Sequence, residues 1–114
     1  MLAKQIDLSD ILSDYKKEVW DAVDEAQDEV AKEAVAELKA NSPKRKGSYR
    51  RGWSKKREGK TMRVYNRTRP GLTSPLENGH VNRDGGRTAG EVHIAPVADT
   101  AAENFVKSVE RRLS

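Results

Sequence analysis

The chain has 114 residues, a length that suits one domain and leaves little room for a second hydrophobic core. Leu, Ile, Val and Phe make up only about 18% of the sequence, so we expect a small core whose stability depends partly on partners or on copies of the chain. Its 22 Lys and Arg outnumber its 18 Asp and Glu, and the formal net charge is +4. The absence of cysteine excludes disulfides, thiolate metal sites and cysteine nucleophiles.

No targeting segment or membrane span is predicted. Lys4, Asp7 and Asp10 interrupt the apolar residues at the start of the sequence, which excludes the apolar region of a signal peptide. No stretch approaches the ~20 apolar residues that cross a bilayer. We therefore expect a protein that is soluble and intracellular when made, with no membrane partner.

The first predicted element is a long amphipathic helix. Its apolar residues recur every three or four positions, which is the helical period: Leu8, Leu12, Tyr15, Val19, Val23, Ala26, Val30, Ala34 and Leu38. Asp7 is a suitable N-cap, and Pro43 forces the chain out of the helical region. A helix over residues 8–40 would be about 50 Å long, against about 35 Å for a compact domain of this size. The helix must break or project, and a projecting apolar stripe needs a partner.

Charge is segregated along the chain. Residues 1–41 hold five Lys and eleven Asp and Glu, whereas residues 42–71 hold twelve Lys and Arg and a single acid, Glu58. An acidic helix of net charge −6 therefore precedes a basic block of net charge +11. This pattern points to a binding surface, for nucleic acid or for another protein.

The basic block is predicted to form a β-hairpin. From Ser48 onward the residues alternate between two faces, with Tyr49 and Trp53 on the same face. Glu58-Gly59-Lys60 predicts the turn, and Thr61 to Asn66 the returning strand. Basic residues on both faces of the first strand favour an edge or protruding hairpin.

The remaining elements are short until the end of the chain. Leu72 to Gly79 predicts a helical turn ended by glycine, residues 82–87 a glycine-rich loop, and Glu91 to Ile94 a short strand. Apolar residues from Val97 to Leu113 predict a closing helix over residues 98–114. The predicted fold is α+β: a long N-terminal amphipathic helix, a β-hairpin and short antiparallel sheet, and a C-terminal helix. Its single domain divides into residues 1–41, 42–71, 72–97 and 98–114.

Two interpretations of the basic block remain open. Its Lys and Arg could neutralise phosphates while Tyr49, Trp53 and Tyr65 stack on bases. Alternatively, Tyr49 and Trp53 are core anchors and the charges line a solvated or subunit-facing edge. No helix-turn-helix, ribonucleoprotein motif or zinc finger favours the first interpretation. The candidate residues facing a subunit or DNA are Lys44, Arg45, Lys46, Arg50, Arg51, Lys55, Lys56, Arg57, Arg67 and Arg69.

No catalytic centre, cofactor site or metal site is predicted. Glu77, His80 and His93 could be imagined as metal ligands, but their spacing matches no strong ligand signature. A His-Asn-His nuclease centre built from His80, Asn82 and His93 is weaker still. Residues 84–87 lack the order of a phosphate-binding loop, and no Ser-His-Asp arrangement can be argued. We do not expect an enzyme.

A set of residues occurs in a fixed order from Ser42 onward. The set comprises Ser42-Pro43, Gly47, Tyr49, Trp53, Val64 to Asn66, Leu72 to Leu76-Glu77, Gly79-His80, Gly85-Gly86-Arg87, His93-Ile94 and Pro96. In this order the residues resemble the tail-component, or neck, family of bacteriophages with long flexible tails. The resemblance implies a small α+β structural protein with no enzymatic activity. It also implies a ring-forming subunit, most simply a hexamer, between the head connector and the tail.

On this resemblance the expected partners are copies of the chain, phage connector and tail proteins, and DNA passing non-specifically through the lumen. The expected location is the head–tail interface of the virion, after assembly in the host cytoplasm. We expect the acidic helix of one copy to meet the basic hairpin of the next. Residues with a fold or interface role are expected to be Tyr49, Trp53, Glu77, Gly79, His80, Gly86, Arg87, His93 and Pro96. The alternative is a small basic nucleic-acid-binding protein that acts free in the cell.

Overall fold

The fold was obtained as a computed structural model, which describes residues 8–43 and 47–114. The helices are α1 (Leu8–Asn41), α2 (Gly47–Arg51), α3 (Thr73–Asn78) and α4 (Ile94–Leu113), and a 3₁₀ turn covers Pro70–Leu72. The strands are β1 (Trp53–Glu58), β2 (Thr61–Asn66), β3 (His80–Val81) and β4 (Arg87–Thr88). The predicted α+β fold is confirmed. Lys44, Arg45 and Lys46 lie outside the described residues.

Helix α1 is the central element of the fold, since the hairpin and α4 both pack on it. It runs unbroken for 34 residues. Its buried stripe consists mainly of small side chains, which let the neighbouring elements approach closely: Ala22, Ala26, Val30, Ala31, Ala34 and Leu38. The helix ends as predicted before Pro43, where the backbone N–H of Ser42 donates to the carbonyl oxygen of Leu38 at 3.0 Å.

The hairpin consists of two antiparallel strands, β1 and β2, paired from Trp53 opposite Asn66 to Glu58 opposite Thr61. The two-residue turn begins at Gly59, whose φ of +60° lies in the left-handed region that glycine adopts without strain. The predicted turn and returning strand are confirmed. The predicted start of the first strand at Ser48 is wrong, because residues 47–51 form α2. The four-residue spacing of Tyr49 and Trp53 fits one helix face as well as one strand face.

The segment after the hairpin contains α3 and a small antiparallel sheet in which His80 pairs with Thr88 and Val81 with Arg87. The predicted helical turn ended by Gly79 is confirmed. The predicted strand over residues 91–94 is wrong, because the backbone N–H of Glu91 donates to Leu76 and Ile94 already begins α4. The closing helix thus starts four residues before the predicted position 98.

The core is small, as the composition predicted. Its buried members are Ala34 and Leu38 of α1, Tyr49, Trp53 and Val97. Partly buried apolar side chains surround them: Val35, Val64, Leu72, Leu76 and Ile94. This core therefore lies at the C-terminal half of α1, where α2, the hairpin, α3 and α4 meet.

Candidate functional site

A buried cluster of aromatic and polar side chains joins α2, β1 and the start of α4. The rings of Tyr49, Trp53 and His93 meet edge to face, with centroids 5.5 to 6.5 Å apart. The indole N–H of Trp53 donates to the hydroxyl of Ser42 at 2.7 Å, and that hydroxyl donates to the carbonyl oxygen of Leu38. Tyr49 and Trp53 are 0% and 4% exposed, so neither can stack on a nucleic-acid base.

His93 links this cluster to the closing helix. Its Nδ1–H donates to the carbonyl oxygen of Glu91 at 2.7 Å, which leaves Nε2 to accept the hydroxyl proton of Tyr49, also at 2.7 Å. Burial, together with the negative charge of Glu77, raises the pKa of Tyr49 to about 12. Tyr49 therefore stays neutral, and its hydrogen bond to His93 has a structural role.

Glu77 caps α4 from a distant part of the chain. Its carboxylate accepts hydrogen bonds from the backbone N–H groups of residues 93, 94 and 95 at 2.7 to 2.9 Å. Burial disfavours its charge, but these three hydrogen bonds outweigh burial and hold the pKa of Glu77 below its usual value. The cap explains why α4 begins at Ile94. Pro96 follows in the first turn, where the missing N–H of proline leaves no hydrogen bond unmade.

Two glycines let the chain return from α3 to His93. A side chain at Gly90 would place its Cβ 2.4 Å from the carbonyl oxygen of Glu77 and 2.6 Å from the nitrogen of Gly79. Gly79 itself has φ +83°, and a Cβ there would lie 2.5 Å from the carbonyl oxygen of Thr88. This close backbone approach fixes the position of Glu77 relative to α4. Gly90 was missed in the sequence, although an additional glycine just before a predicted strand is a signal of such an approach.

The other predicted fold residues of this segment lie at its surface. Arg87 donates to the carbonyl oxygen of Asn78 at the end of α3, at 3.3 Å. The backbone N–H of Gly86 donates to the side chain of Asp84 at 2.9 Å, which closes the predicted glycine-rich turn. His80 is exposed on β3, and Pro96 is exposed on α4. Among the described residues, no group of three or more His, Asp or Glu is arranged to hold a metal ion.

The basic hairpin and the acidic helix pair within one chain. Lys55 donates to the carboxylate of Asp28, and this contact lowers the pKa of Asp28. Arg57 lies 3.5 Å from the carboxylate of Asp24 and donates to the carbonyl oxygen of that residue at 3.2 Å. Lys55 and Arg57 are therefore occupied inside the chain, which changes the expectation that they meet the acidic helix of a neighbouring copy.

A second set of ion pairs joins α1 to the end of α4. Arg112 contacts the carboxylates of Glu25 and Glu29 at 2.8 Å, and Arg111 contacts Glu29 at 3.0 Å. Hydrogen bonds from Ser108, Arg112 and Arg111 lower the pKa of Glu29 to about 2. Sequence reasoning did not assign these residues. The sequence feature that could have identified them is the four-residue spacing of Glu25 and Glu29 on α1, which matches that of Ser108 and Arg112 on α4.

The tip and outer face of the hairpin use their basic residues locally. Lys56 and Arg63 both contact the carboxylate of Glu58, at 3.2 and 3.5 Å. The ammonium group of Lys60 lies 4.1 Å from the ring centroid of Trp20 on α1, in cation–π contact. The hairpin thus lies along α1 as far as Trp20.

A basic end, formed by Lys39, Arg50, Arg51, Arg67 and Arg69, lies where α2 meets the end of α1. Hydrogen bonds bring these segments together: Arg50 Nε donates to the carbonyl oxygen of Lys39 at 2.9 Å, and Arg69 Nε donates to the hydroxyl of Ser48 at 3.4 Å. In the part of the chain that the structure describes, none of these five side chains forms an ion pair with a carboxylate. The basic block therefore divides into a hairpin with acidic partners and an end without them.

The opposite end of α1 contains an uncovered arm, residues 13–19. The side chains of residues 13–18 are all exposed, including Tyr15 at 62%. Helix α4 reaches α1 near Glu25 through Arg112, and the hairpin tip reaches Trp20 through Lys60. The expectation that the helix projects is met by this arm. No helix in the described part of the chain is long and apolar enough to cross a membrane.

Comparison with known families identifies the chain. The family model described as "Bacteriophage HK97-gp10, putative tail-component" matches residues 6–101, which includes α1, the hairpin, the Glu77 cap and the first turns of α4. Comparisons with curated proteins and with solved structures each give no significant match. Of the residues that suggested this family, Ser42, Tyr49, Trp53, Glu77 and His93 form the buried cluster and the helix cap, whereas others, such as His80 and Pro96, lie at the surface. The chain belongs to the HK97-gp10-like family of phage tail components.

Proposed function

We propose that the protein is a structural subunit of the phage neck, acting in head–tail joining or tail completion as one copy of a ring between the head connector and the tail. Family membership supports a structural tail component. The observation that supports the finer role is the arm of α1, because its side chains are exposed and include the aromatic ring of Tyr15, which gains free energy when a partner covers it. In the assembled virion, adjacent copies and the connector or tail proteins supply that surface.

A ring requires two different surfaces on each copy. The arm is one of them. The other is an apolar groove formed by Met62 and Val64 of β2, Val30 of α1, and Ala101 and Phe105 of α4. Pairing the arm of one copy with the groove of the next is heterologous, so it continues from copy to copy until the ring closes. The symmetry we propose is sixfold.

The contact between arm and groove takes the place of the ion pairs that we expected between the acidic helix of one copy and the basic hairpin of the next. Because Lys55 and Arg57 already contact Asp28 and Asp24 within the chain, charge complementarity there stabilises the subunit itself. Burial of apolar side chains then becomes the main attraction between copies. Arg50, Arg51, Arg67 and Arg69 form no ion pair with a described acid, and we propose that they face DNA or an acidic protein. The same role is proposed for Lys44, Arg45 and Lys46 from the sequence alone.

The ring is tested by native mass spectrometry and light scattering over a range of protein concentrations. Tyr15→Glu places a charge on the arm and should shift the population from ring to monomer, with the melting temperature of the subunit unchanged. Val81→Glu, a similar change at a residue that is 68% exposed away from the arm, is the matched control and should assemble normally. A chain that stays monomeric at every concentration, also with connector and tail proteins present, would contradict ring formation.

The second candidate function, a nucleic-acid-binding protein that acts free in the cell, is favoured by one observation, the basic end without acidic partners. It predicts a monomer that binds nucleic acid at sub-micromolar concentration in physiological salt. The same light-scattering experiment, combined with a binding assay, separates the two functions. A ring with weak binding supports the neck subunit, and a tightly binding monomer supports the alternative.

A further inference from the structure

We propose that the basic end, and not the hairpin, is the surface that binds the phosphate backbone of duplex DNA. The inference rests on the proposed function for the setting in which DNA is met, since DNA passes through a neck. The contacts themselves follow from how the structure distributes charge. The basic residues of the hairpin and those of the basic end form one block in the sequence, but the structure gives them different partners.

The hairpin group has its charges compensated. Lys55 and Arg57 contact acids of α1, Lys56 and Arg63 share Glu58, and Lys60 stands over Trp20. Moving these side chains onto phosphates would break contacts that stabilise the subunit. Any gain from phosphate binding is reduced by that loss.

Among the residues that the structure describes, no acid forms an ion pair with a side chain of the basic end. Between Leu38 and Leu76 the only acid in the sequence is Glu58, which lies at the far tip of the hairpin and contacts Lys56 and Arg63. Arg51, Arg67 and Arg69 are exposed, and so is Lys39 at the end of α1. Uncompensated positive charge at this density attracts a polyanion.

The geometry of the basic end also restricts the kind of contact. Hydrogen bonds fix α2 against the segment after β2: the side-chain amide of Asn66 donates to the carbonyl oxygen of Tyr49 at 2.7 Å, and the backbone N–H of Arg67 donates to Gly52 at 2.8 Å. The two neighbouring aromatic side chains, Tyr49 and Trp53, are buried and cannot stack on bases. Base stacking by these two rings is therefore excluded, and we expect the arginines to contact phosphates, a mode that is independent of sequence and compatible with an intact duplex.

Weak, salt-sensitive contact of this kind suits a channel component. Each phosphate neutralised by Lys or Arg releases counterions, so the affinity falls steeply as salt rises. The exchange of one phosphate for the next along the duplex leaves the contact energy unchanged. The basic end would therefore hold DNA against the ring without stopping its movement.

The test compares two charge-matched double variants. Arg51→Gln with Arg67→Gln removes two positive charges from exposed side chains of the basic end that form no hydrogen bond with another described residue. Lys56→Gln with Arg63→Gln removes two from the outer face of the hairpin. Binding to a duplex of mixed sequence is measured by fluorescence anisotropy from 25 to about 200 mM salt, and the slope of log K against log salt is the readout.

We expect the basic-end variant to lose about 2 units of slope, because each lost phosphate contact removes about 0.9, whereas the hairpin variant keeps the wild-type slope. Equal losses in both variants would show that only net charge matters and would overturn the assignment. A poly-glutamate peptide run in parallel identifies the ligand class. If it binds as tightly as DNA and with the same dependence on Arg51 and Arg67, the surface serves an acidic protein and the DNA assignment fails.

Circular dichroism and light scattering of the same samples separate this inference from the proposed function. Both double variants should keep the wild-type oligomeric state, since neither change touches the arm or the groove. The hairpin variant loses two exposed ion pairs with Glu58, and such pairs contribute little, so its melting temperature should fall only slightly. Rings without salt-dependent DNA binding would overturn the inference alone. Monomers whose DNA binding depends on the basic end would overturn the ring alone.

Discussion

The hydroxyl of Tyr49 donates a hydrogen bond to Nε2 of His93 across 2.7 Å, joining residues that lie 44 positions apart in the chain. Both side chains are buried. The same histidine presents its backbone N–H to Glu77, so α2, α3 and the start of α4 are tied together at one point. The core of this small protein is therefore held by a polar network in addition to apolar contacts.

Removing the tyrosine hydroxyl tests that network. Tyr49→Phe leaves Nε2 of His93 buried without a donor, which should reduce the free energy of unfolding by about 1 to 3 kcal/mol. Tyr15→Phe, at an exposed position, should change it by less than about 0.5 kcal/mol. Urea denaturation followed by circular dichroism measures both. Equal stability of Tyr49→Phe and wild type would show that the hydrogen bond contributes nothing net.

The raised pKa of Tyr49 gives a second readout of the same site. Because the folded pKa of about 12 exceeds the ordinary value of 10.0, the neutral phenol stabilises the fold at neutral pH. That contribution should be lost as pH rises from about 10 to about 12. The ultraviolet absorbance of ionised tyrosine should show a late transition in wild type that is absent in Tyr49→Phe.

Neutralising the helix cap should loosen the start of α4. Glu77→Gln keeps one carbonyl acceptor but loses the charge that interacts with the three N–H groups, at a cost of roughly 1 to 2 kcal/mol at pH 7. Since the folded pKa of Glu77 is depressed, its contribution is present above the unfolded value of about 4.5 and is lost as pH falls through the folded pKa. The difference between wild type and variant in thermal unfolding should therefore shrink below pH 4.5. A constant difference down to pH 2 would argue against a charge effect.

Adding one methyl group to the α3–α4 connection should be costly. Gly90→Ala places a Cβ against the backbone of Glu77 and Gly79, and we expect a loss of about 1 to 3 kcal/mol. Gly71→Ala is the control, because its Cβ would meet nothing within 4 Å. Thermal unfolding of the two variants compares them directly. The prediction is contradicted if both melt at the same temperature.

Acid should release α4 from α1. The pKa of Glu29 is depressed to about 2 by hydrogen bonds from Ser108, Arg112 and Arg111, so its stabilising contribution is present above about pH 4.5 and is lost between pH 4.5 and about 2. In Glu29→Gln this part of the pH dependence should disappear. Glu33→Gln, an exposed residue of the same helix, serves as control and should retain the wild-type profile. Hydrogen exchange of α4 amides from pH 6 down to 2.5 provides the measurement.

Periodicity predicted those elements whose structure depends on local sequence. The recurrence of apolar residues from Leu8 to Leu38 determined α1, and the Gly59 turn with its alternating flanks determined the hairpin. Periodicity failed to predict the elements whose structure depends on residues distant in the sequence. Residues 47–51 are held as a helix by hydrogen bonds from Asn66, at the end of β2, to Tyr49 and from Thr68, just after it, to Ser48. The start of α4 depends on the carboxylate of Glu77, 16 residues before the first N–H that it accepts.

The charged surfaces, too, could be predicted only in part from the sequence. Sequence reasoning identified the basic block and the acidic helix, but charge counts carry no information on which charges meet within the chain. On α1, Asp24 and Asp28 pair with basic residues of the hairpin. Glu25 and Glu29, each one position further along the helix, pair with an arginine of α4. That distinction requires the rotation of the helix relative to two neighbours, which only the folded structure provides.

The contact between Glu29 and Arg112 spans 83 residues, and this has a consequence for biosynthesis. While the ribosome is still making the hairpin, α1 has exposed its acidic residues and its alanine-rich stripe, and the helix that will cover them does not yet exist. A chain with α1 and the hairpin but without α4 would present the surface on which α4 packs to any neighbour. In the ring that we propose, α4 would have to dock before subunits meet, and contacts this distant in sequence close slowly. Premature association of nascent chains is the failure that this topology must avoid.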